Sequence, residues 1–208
     1  MSVAEVSRDR VEERLVALED EYSGFPINQT TLAVPSDAYE RAGGRCERGI
    51  VDAYVQLYND SEDVLLVERD GEWVVPHGEP ATDERVVPGT EAAIRRSTGV
   101  DCSLTDLTRV TILGVRDEDD PDRPPVYRLI AVFVAETDDS GATVTAPVSG
   151  GSRTAGTNGD AATDGDAAEA TDDAVGTNGD AAGDDADDST PEGVRWHPTL
   201  PESAVPSH

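Results

Sequence analysis

The sequence predicts a mixed α/β layered domain, and three observations lead there. Apolar strand-like segments lie on both sides of a central helical segment. Two further helical patterns occupy the front of the chain, and strand-like sequence resumes after a long acidic low-complexity stretch. Strands and helices interleaved in this way bury their apolar faces as layers around one core.

The elements follow in order. Val11, Leu15, Leu18 and Tyr22 recur at helical spacing, which predicts an amphipathic helix over 5–22. Ser36 is placed to cap a second short helix that runs to about Cys46. Ile50 to Tyr58 and Val64 to Arg69 are apolar-rich strands, and Asp70-Gly71 before Glu72-Trp73-Val74-Val75 signals a hairpin. Thr90 is placed to cap a helix from Glu91 to about Thr98, closed by Gly99. Leu104 to Val115 and Val126 to Glu136 supply two more strands, with an Asp/Pro-rich turn between them. Val194 to Pro198 reads as a short closing strand, followed by a turn or helix start at Thr199 to Ser203.

Between these parts the composition changes sharply. Residues 137–190 hold 13 acidic residues, one arginine (Arg153), and no aromatic, leucine or isoleucine. Gly-Thr-Asn-Gly-Asp-Ala-Ala occurs at 156–162 and again at 176–182, but neither copy has an apolar face to stack as a solenoid would require. Such a segment cannot offset its ordering entropy by burial, so a disordered acidic insertion in a surface loop is expected. The chain thus divides into an N-terminal helical extension (1–48), a folded domain (49–136), the insertion (137–190) and a C-terminal strand and turn (191–208) completing the domain.

The charge balance excludes several functions. Among 208 residues there are 16 arginines and no lysine, against 44 Asp and Glu, for a net charge of -28. Without the insertion the other 154 residues still carry -16. Grip on a phosphate backbone rests on clustered Lys and Arg, so nucleic acid is not the expected partner. A chain without lysine supplies neither a P-loop nor a Schiff base. The longest strongly apolar run, Leu129 to Ala135, is far short of a membrane span, and the first residues lack the apolar core of a signal peptide. Cys46 and Cys102 are expected to be free thiols in a reducing cytoplasm. Missing lysine and abundant short acids are similar to proteins of extreme halophiles, whose salt shortens the Debye length to about 3 Å at 1 M.

Residues 73–100 carry the chemistry. Gly78, Glu84, Ile94, Gly99 and Val100 fall, without a gap, at the spacing Gly-x5-Glu-x7-Arg-Glu-U-x-Glu-Glu-x-Gly-U, where U is apolar. This stretch resembles the Nudix box, the strand–loop–helix–turn of hydrolases that act on a nucleoside diphosphate linked to another moiety. The resemblance covers about residues 50–136 and 193–203. It implies a Nudix-like α/β/α sandwich with a mixed sheet, and Mg²⁺- or Mn²⁺-dependent cleavage of a small phosphorylated ligand such as a nucleotide.

The departures fall on the metal ligands. In this register the family's arginine falls on Ala92, its first glutamate on Ala93, and its paired glutamates on Arg96 and Ser97. Shifting the register so that Arg95 becomes the arginine still leaves the paired glutamates missing. Mg²⁺ needs hard oxygen ligands, and alanine offers none. Glu84 and Glu91 remain as candidate metal ligands. Glu84 serves equally well as a loop brace, whereas Glu91 reads first as a surface ion-pair partner of Arg95, worth about 0.3–0.5 kcal/mol, and as a charge suited to the helix start, ahead of metal ligation. His77 stands where the family has a turn glycine, either as a tolerated turn residue or as a general acid or base. The acidic run from Asp117 to Asp122 reads as a solvated loop. Arg95, Arg96 and the backbone amides near Gly78 could hold a phosphoryl group without metal. Three functions are therefore open: a weak or inactive Nudix-type pyrophosphohydrolase, a non-catalytic phosphoryl-ligand binding or regulatory module, and a decayed paralogue that does neither.

Overall fold

A computed structural model describes residues 2–137 and 193–205; the low-complexity stretch, and with it the expected insertion, lies outside the described residues. Helix α1 (Val3–Glu21) starts at a capping box in which Glu5 N–H donates to Ser2 Oγ at 3.3 Å and Ser2 N–H to a Glu5 carboxylate oxygen at 2.8 Å. It buries Ala4, Ser7, Val11 and Leu18. Strand β1 (Ile27–Val34) follows, an element that the sequence did not signal.

Helix α2 spans Ser36–Arg48. Ser36 is its first residue and not its cap; Pro35 takes that place, and the Ser36 hydroxyl donates to Asp117 Oδ1 at 2.7 Å. Asp117 is consequently buried, contrary to the expected solvated loop, and also accepts from Asp119 N–H and Arg123. Strands β2 (Val51–Tyr58), β3 (Val64–Arg69) and β4 (Glu72–Val74) occupy the expected places. The β3–β4 turn has φ of 51° at Asp70 and 79° at Gly71, the two left-handed residues that an Asp-Gly hairpin supplies.

After the two-residue strand β5 (His77–Gly78), helix α3 runs from Val86 to Thr98, beginning four residues before Thr90. Pro88 sits in its first turn, where an N–H has no intrahelical acceptor to lose. Gly99, at φ 75°, closes it and donates to Arg95 O. Strands β6 (Cys102–Asp117), β7 (Val126–Thr137) and β8 (Val194–His197) and a 3-10 turn at Glu202–Ala204 complete the described chain.

The strands form one eight-stranded mixed sheet, ordered β1-β6-β7-β2-β3-β4, with β5 beside β2 and β8 beside β3. The β1–β6 and β2–β7 pairs are parallel and the others antiparallel. Alternation along the strands places the core. Val51, Ala53, Val55 and Leu57 of β2 and Leu129, Ala131, Phe133 and Ala135 of β7 pack with Val11, Leu18, Cys46 and Ile94 from the three helices. Leu65 joins this core, whereas its neighbours Val64 and Leu66 pack with Val75 and Ala204 in a second cluster. Cys46 and Cys102 are buried free thiols.

Candidate functional site

Two charged residues near strand starts interrupt the apolar pattern of the central pair β2 and β7. Asp52 stands between Val51 and Ala53 at the beginning of β2, and Arg128 precedes Leu129 at the beginning of β7. The two are 76 positions apart, yet the parallel β2–β7 pair brings them side by side. Arg128 grips the carboxylate with both arms: Nε to Oδ2 at 2.7 Å and Nη2 to Oδ1 at 2.7 Å. Its remaining arm donates to Gly49 O at 3.0 Å. From the last turn of α2, Arg45 adds a bond to Asp52 Oδ1 at 2.9 Å and a second, shorter one to Glu79.

His77 completes the group. Its side chain, 11% exposed, places Nε2 3.6 Å from Asp52 Oδ1. Its ring lies 4.8 Å from that of Tyr54, its neighbour across β2–β5. Burial would raise the Asp52 pKa, but the His77 and Arg128 contacts and the charges of Arg128 and Arg45 outweigh it and hold the carboxyl well below its usual range. The Arg128 guanidinium is held protonated by the same carboxylate and by Glu79, against its own desolvation. Two nitrogens in this cluster are buried without a partner within hydrogen-bond distance: Arg45 Nε, and His77 Nε2, whose nearest charged neighbour is Asp52 at 3.6 Å.

The residues singled out by sequence are distributed differently. His77 is in the cluster, as a strand residue. Glu84 braces its own loop, accepting from Ala81 N–H at 3.0 Å. Glu91 accepts from Leu104 N–H at 3.0 Å and so ties α3 to β6; Arg95, its expected partner, pairs instead with Asp101 at 3.1 Å. Arg95 and Arg96 are exposed near the end of α3. Gly78 is buried where β5 meets α3, and a Cβ there would lie 2.9 Å from the Ala93 methyl. Gly78→Ala is therefore expected to lower stability by about 1–3 kcal/mol through forced overpacking, measured by denaturant unfolding in molar KCl. Thr90, expected as a cap, is buried inside α3 with its hydroxyl unpartnered. The sequence reading missed Asp52, Arg128 and Arg45; the available signal was a pair of opposite charges opening two otherwise apolar strands.

No protein-family model matches the chain, and no curated protein matches it in sequence. Among solved structures it is similar to a UDP-X diphosphatase, at 18% identity over 44% of this chain and 43% of that one, with a TM-score of 0.33. It is also similar to the MutT protein from Methanosarcina mazei Go1, at 18% identity over 43% of this chain and 63% of that one, with a TM-score of 0.30. Each match spans less than two thirds of the solved chain.

The cluster also bears on divalent metal. Asp52, His77 and Glu79 each offer one ligand atom, all within 4.8 Å of one another. Counted as ligands alone, they form a plausible set for a divalent ion. Both Asp52 oxygens are already held by Arg128, however, and Arg45 joins Asp52 to Glu79. Two guanidinium charges neutralise the two carboxylates, and a cation placed there would face both of them. The donor set does not fit a resident Mg²⁺ or Mn²⁺.

Proposed function

We propose that this chain is a Nudix-like protein that binds a small phosphorylated ligand such as a nucleotide and does not hydrolyse it with a metal ion. One observation carries this reading: the carboxylates of the buried cluster are held by Arg128 and Arg45, while its unpartnered atoms, Arg45 Nε and His77 Nε2, are nitrogens able to donate. Unpartnered nitrogens beside guanidinium groups suit an anionic oxygen, through charge-assisted hydrogen bonds, once a ligand displaces Glu79 and uncovers them. For His77 this requires the tautomer with its proton on Nε2. Glu79 is the internal competitor, since it holds Arg45 in the absence of ligand. The exposed Arg96, and Arg95 on release from Asp101, offer positive charge near the end of α3 that suits the same ligand class.

The hydrolase reading remains the alternative, because Glu84 keeps the spacing of the box. It requires Asp52, His77 and Glu79, or Glu84 and Glu91, to hold a metal that the first set repels and for which the second set is engaged in backbone hydrogen bonds.

Thermal shifts with a nucleoside diphosphate in molar KCl test the binding reading. The wild type is expected to be stabilised, Glu79→Gln to be stabilised more, and Arg45→Gln to lose the shift. Release of phosphate or nucleoside monophosphate on adding Mg²⁺ or Mn²⁺, abolished by Glu84→Gln or Glu91→Gln, would reject the binding reading in favour of the enzyme.

A further inference from the structure

The two ends of the sheet are finished differently. At one end β4 is three residues long and begins with an exposed glutamate, a short and charged edge that discourages pairing. At the other end β1 has eight residues, and seven of them, Ile27 to Ala33, are exposed. No strand among the described residues pairs with its outer side. Its register against β6 is continuous from Ile27↔Val110 to Val34↔Asp117, without a bulge. Residues 26–35, Pro-Ile-Asn-Gln-Thr-Thr-Leu-Ala-Val-Pro, carry no charge at all in a chain of net charge -28. The edge lacks internal proline, inward charge and bulge, the usual devices against strand addition.

The hydrogen-bond parity shows which groups are available. Pro26 O accepts from Val110 N–H, and Val34 O accepts from Glu118 N–H. Even-numbered residues of β1 therefore point their backbone groups at β6, and odd-numbered ones point them outward. The outward set is Ile27, Gln29, Thr31 and Ala33.

We propose that β1 is a dimerisation edge whose occupant is β1 of a second copy of this chain, paired antiparallel about a two-fold axis at Thr30. Centring the axis there matches Ile27 with Ala33 and Gln29 with Thr31 of the other copy. All four outward residues then pair, giving about eight main-chain hydrogen bonds. Centring it at Thr31 would leave Ile27 unmatched. The charge pattern selects a second copy: a strongly charged partner finds no complementary charge on β1, whereas an identical neutral strand brings no like charges into the seam. The net charge of -28 opposes self-association unless salt screens it, so the dimer is expected to tighten as KCl rises. The paired edge is small beside the roughly 1,000 Å² of a firm interface, and the association is expected to be weak and reversible.

Sedimentation equilibrium of the full chain in molar KCl tests this. The wild type is expected to show a monomer–dimer equilibrium at micromolar concentrations. Thr31→Pro removes an outward N–H that β6 does not use, a substitution that an edge strand tolerates. It is expected to raise the dimer dissociation constant at least tenfold, equal to about 1.4 kcal/mol, and to leave the melting temperature of dilute protein unchanged. Thr30→Cys gives a second readout that leaves the backbone intact. Two Thr30 positions would face each other as a non-hydrogen-bonded pair, with Cα atoms about 4.5 Å apart, within disulfide reach. A mild thiol oxidant is expected to cross-link Thr30→Cys but not Asn28→Cys, whose counterpart would be Leu32. A wild type that stays monomeric at high concentration, a Thr31→Pro variant that folds and dimerises unchanged, or cross-linking at Asn28→Cys in preference to Thr30→Cys would overturn the proposal.

Discussion

Asp52→Asn is expected to cost about 3–5 kcal/mol of folding stability, the range for removing one partner of a buried ion pair. Asparagine keeps the shape of the side chain but removes its charge and turns one of the two oxygens that Arg128 grips into a donor, while the Arg128 side chain is only 3% exposed. Arg45 and Arg128 are then left to share the single carboxylate of Glu79, which lies 3.7 Å from Arg128, so one guanidinium charge of the cluster is uncompensated. For a folded part of about 150 residues, a loss of this size lowers the melting temperature by roughly 10 °C or more. The pH dependence has a definite sign. Because folding depresses the Asp52 pKa, its stabilisation is complete above the unfolded value of about 3.9 and declines as pH falls from there through the folded value. The gap between wild type and Asp52→Asn should thus be constant from neutral pH to about pH 4 and shrink below it. Replacing both partners, Asp52→Leu with Arg128→Met, is expected to recover much of the loss, since no buried charge is then left alone. Denaturant unfolding in molar KCl gives each value. A single Asp52→Asn variant within about 1 kcal/mol of wild type at neutral pH would show that the pair is not buried as described.

What the sequence revealed and what it hid have the same physical origin. Strands β2, β3, β6 and β7 were legible because burial on at least one face writes an apolar pattern into them, and the Asp70-Gly71 turn is a local signal. Strand β1 was illegible because nearly all of it is exposed: Ile-Asn-Gln-Thr-Thr-Leu-Ala-Val shows no alternation, and its only described partner, β6, lies some 80 residues downstream. The start of α3 was hidden likewise. Arg85 caps it without a side-chain hydrogen bond, and Val86-Val87-Pro88 has no helical signature, so Thr90 attracted the boundary. In the site, His77 stood out by replacing a glycine in a known pattern. Asp52 and Arg128 did not, because each meets its partner only through a parallel strand pair, and no local spacing encodes that contact.

The spacing of the box makes a quantitative prediction about the same helix. Ala93, Arg96 and Ser97 stand three and four positions apart and share one face of α3, and the Ala93 methyl points at Gly78 on β5. Installing Ala93→Glu, Arg96→Glu and Ser97→Glu together replaces one cation by three carboxylates on that face. Each unit-charge pair at 4 Å is worth about 1 kcal/mol in water, and a divalent ion doubles it, although molar salt screens much of the gain. Mn²⁺ affinity, measured by titration calorimetry in molar KCl, is expected to rise at least about tenfold over wild type. Crowding at Gly78 opposes a long side chain at 93, so Arg96→Glu with Ser97→Glu alone, both clear of the Gly78 contact, is expected to retain the fold and part of the gain. If either variant folds and binds Mn²⁺ no better than wild type, α3 does not present these positions as the box spacing requires, and the resemblance would then extend to the turns at Gly78 and Gly99 but not to the face between them. A rise without cleavage of a nucleoside diphosphate linkage would show that carboxylates on α3 suffice for metal binding but not for reaction beside the arginine-held cluster at Asp52.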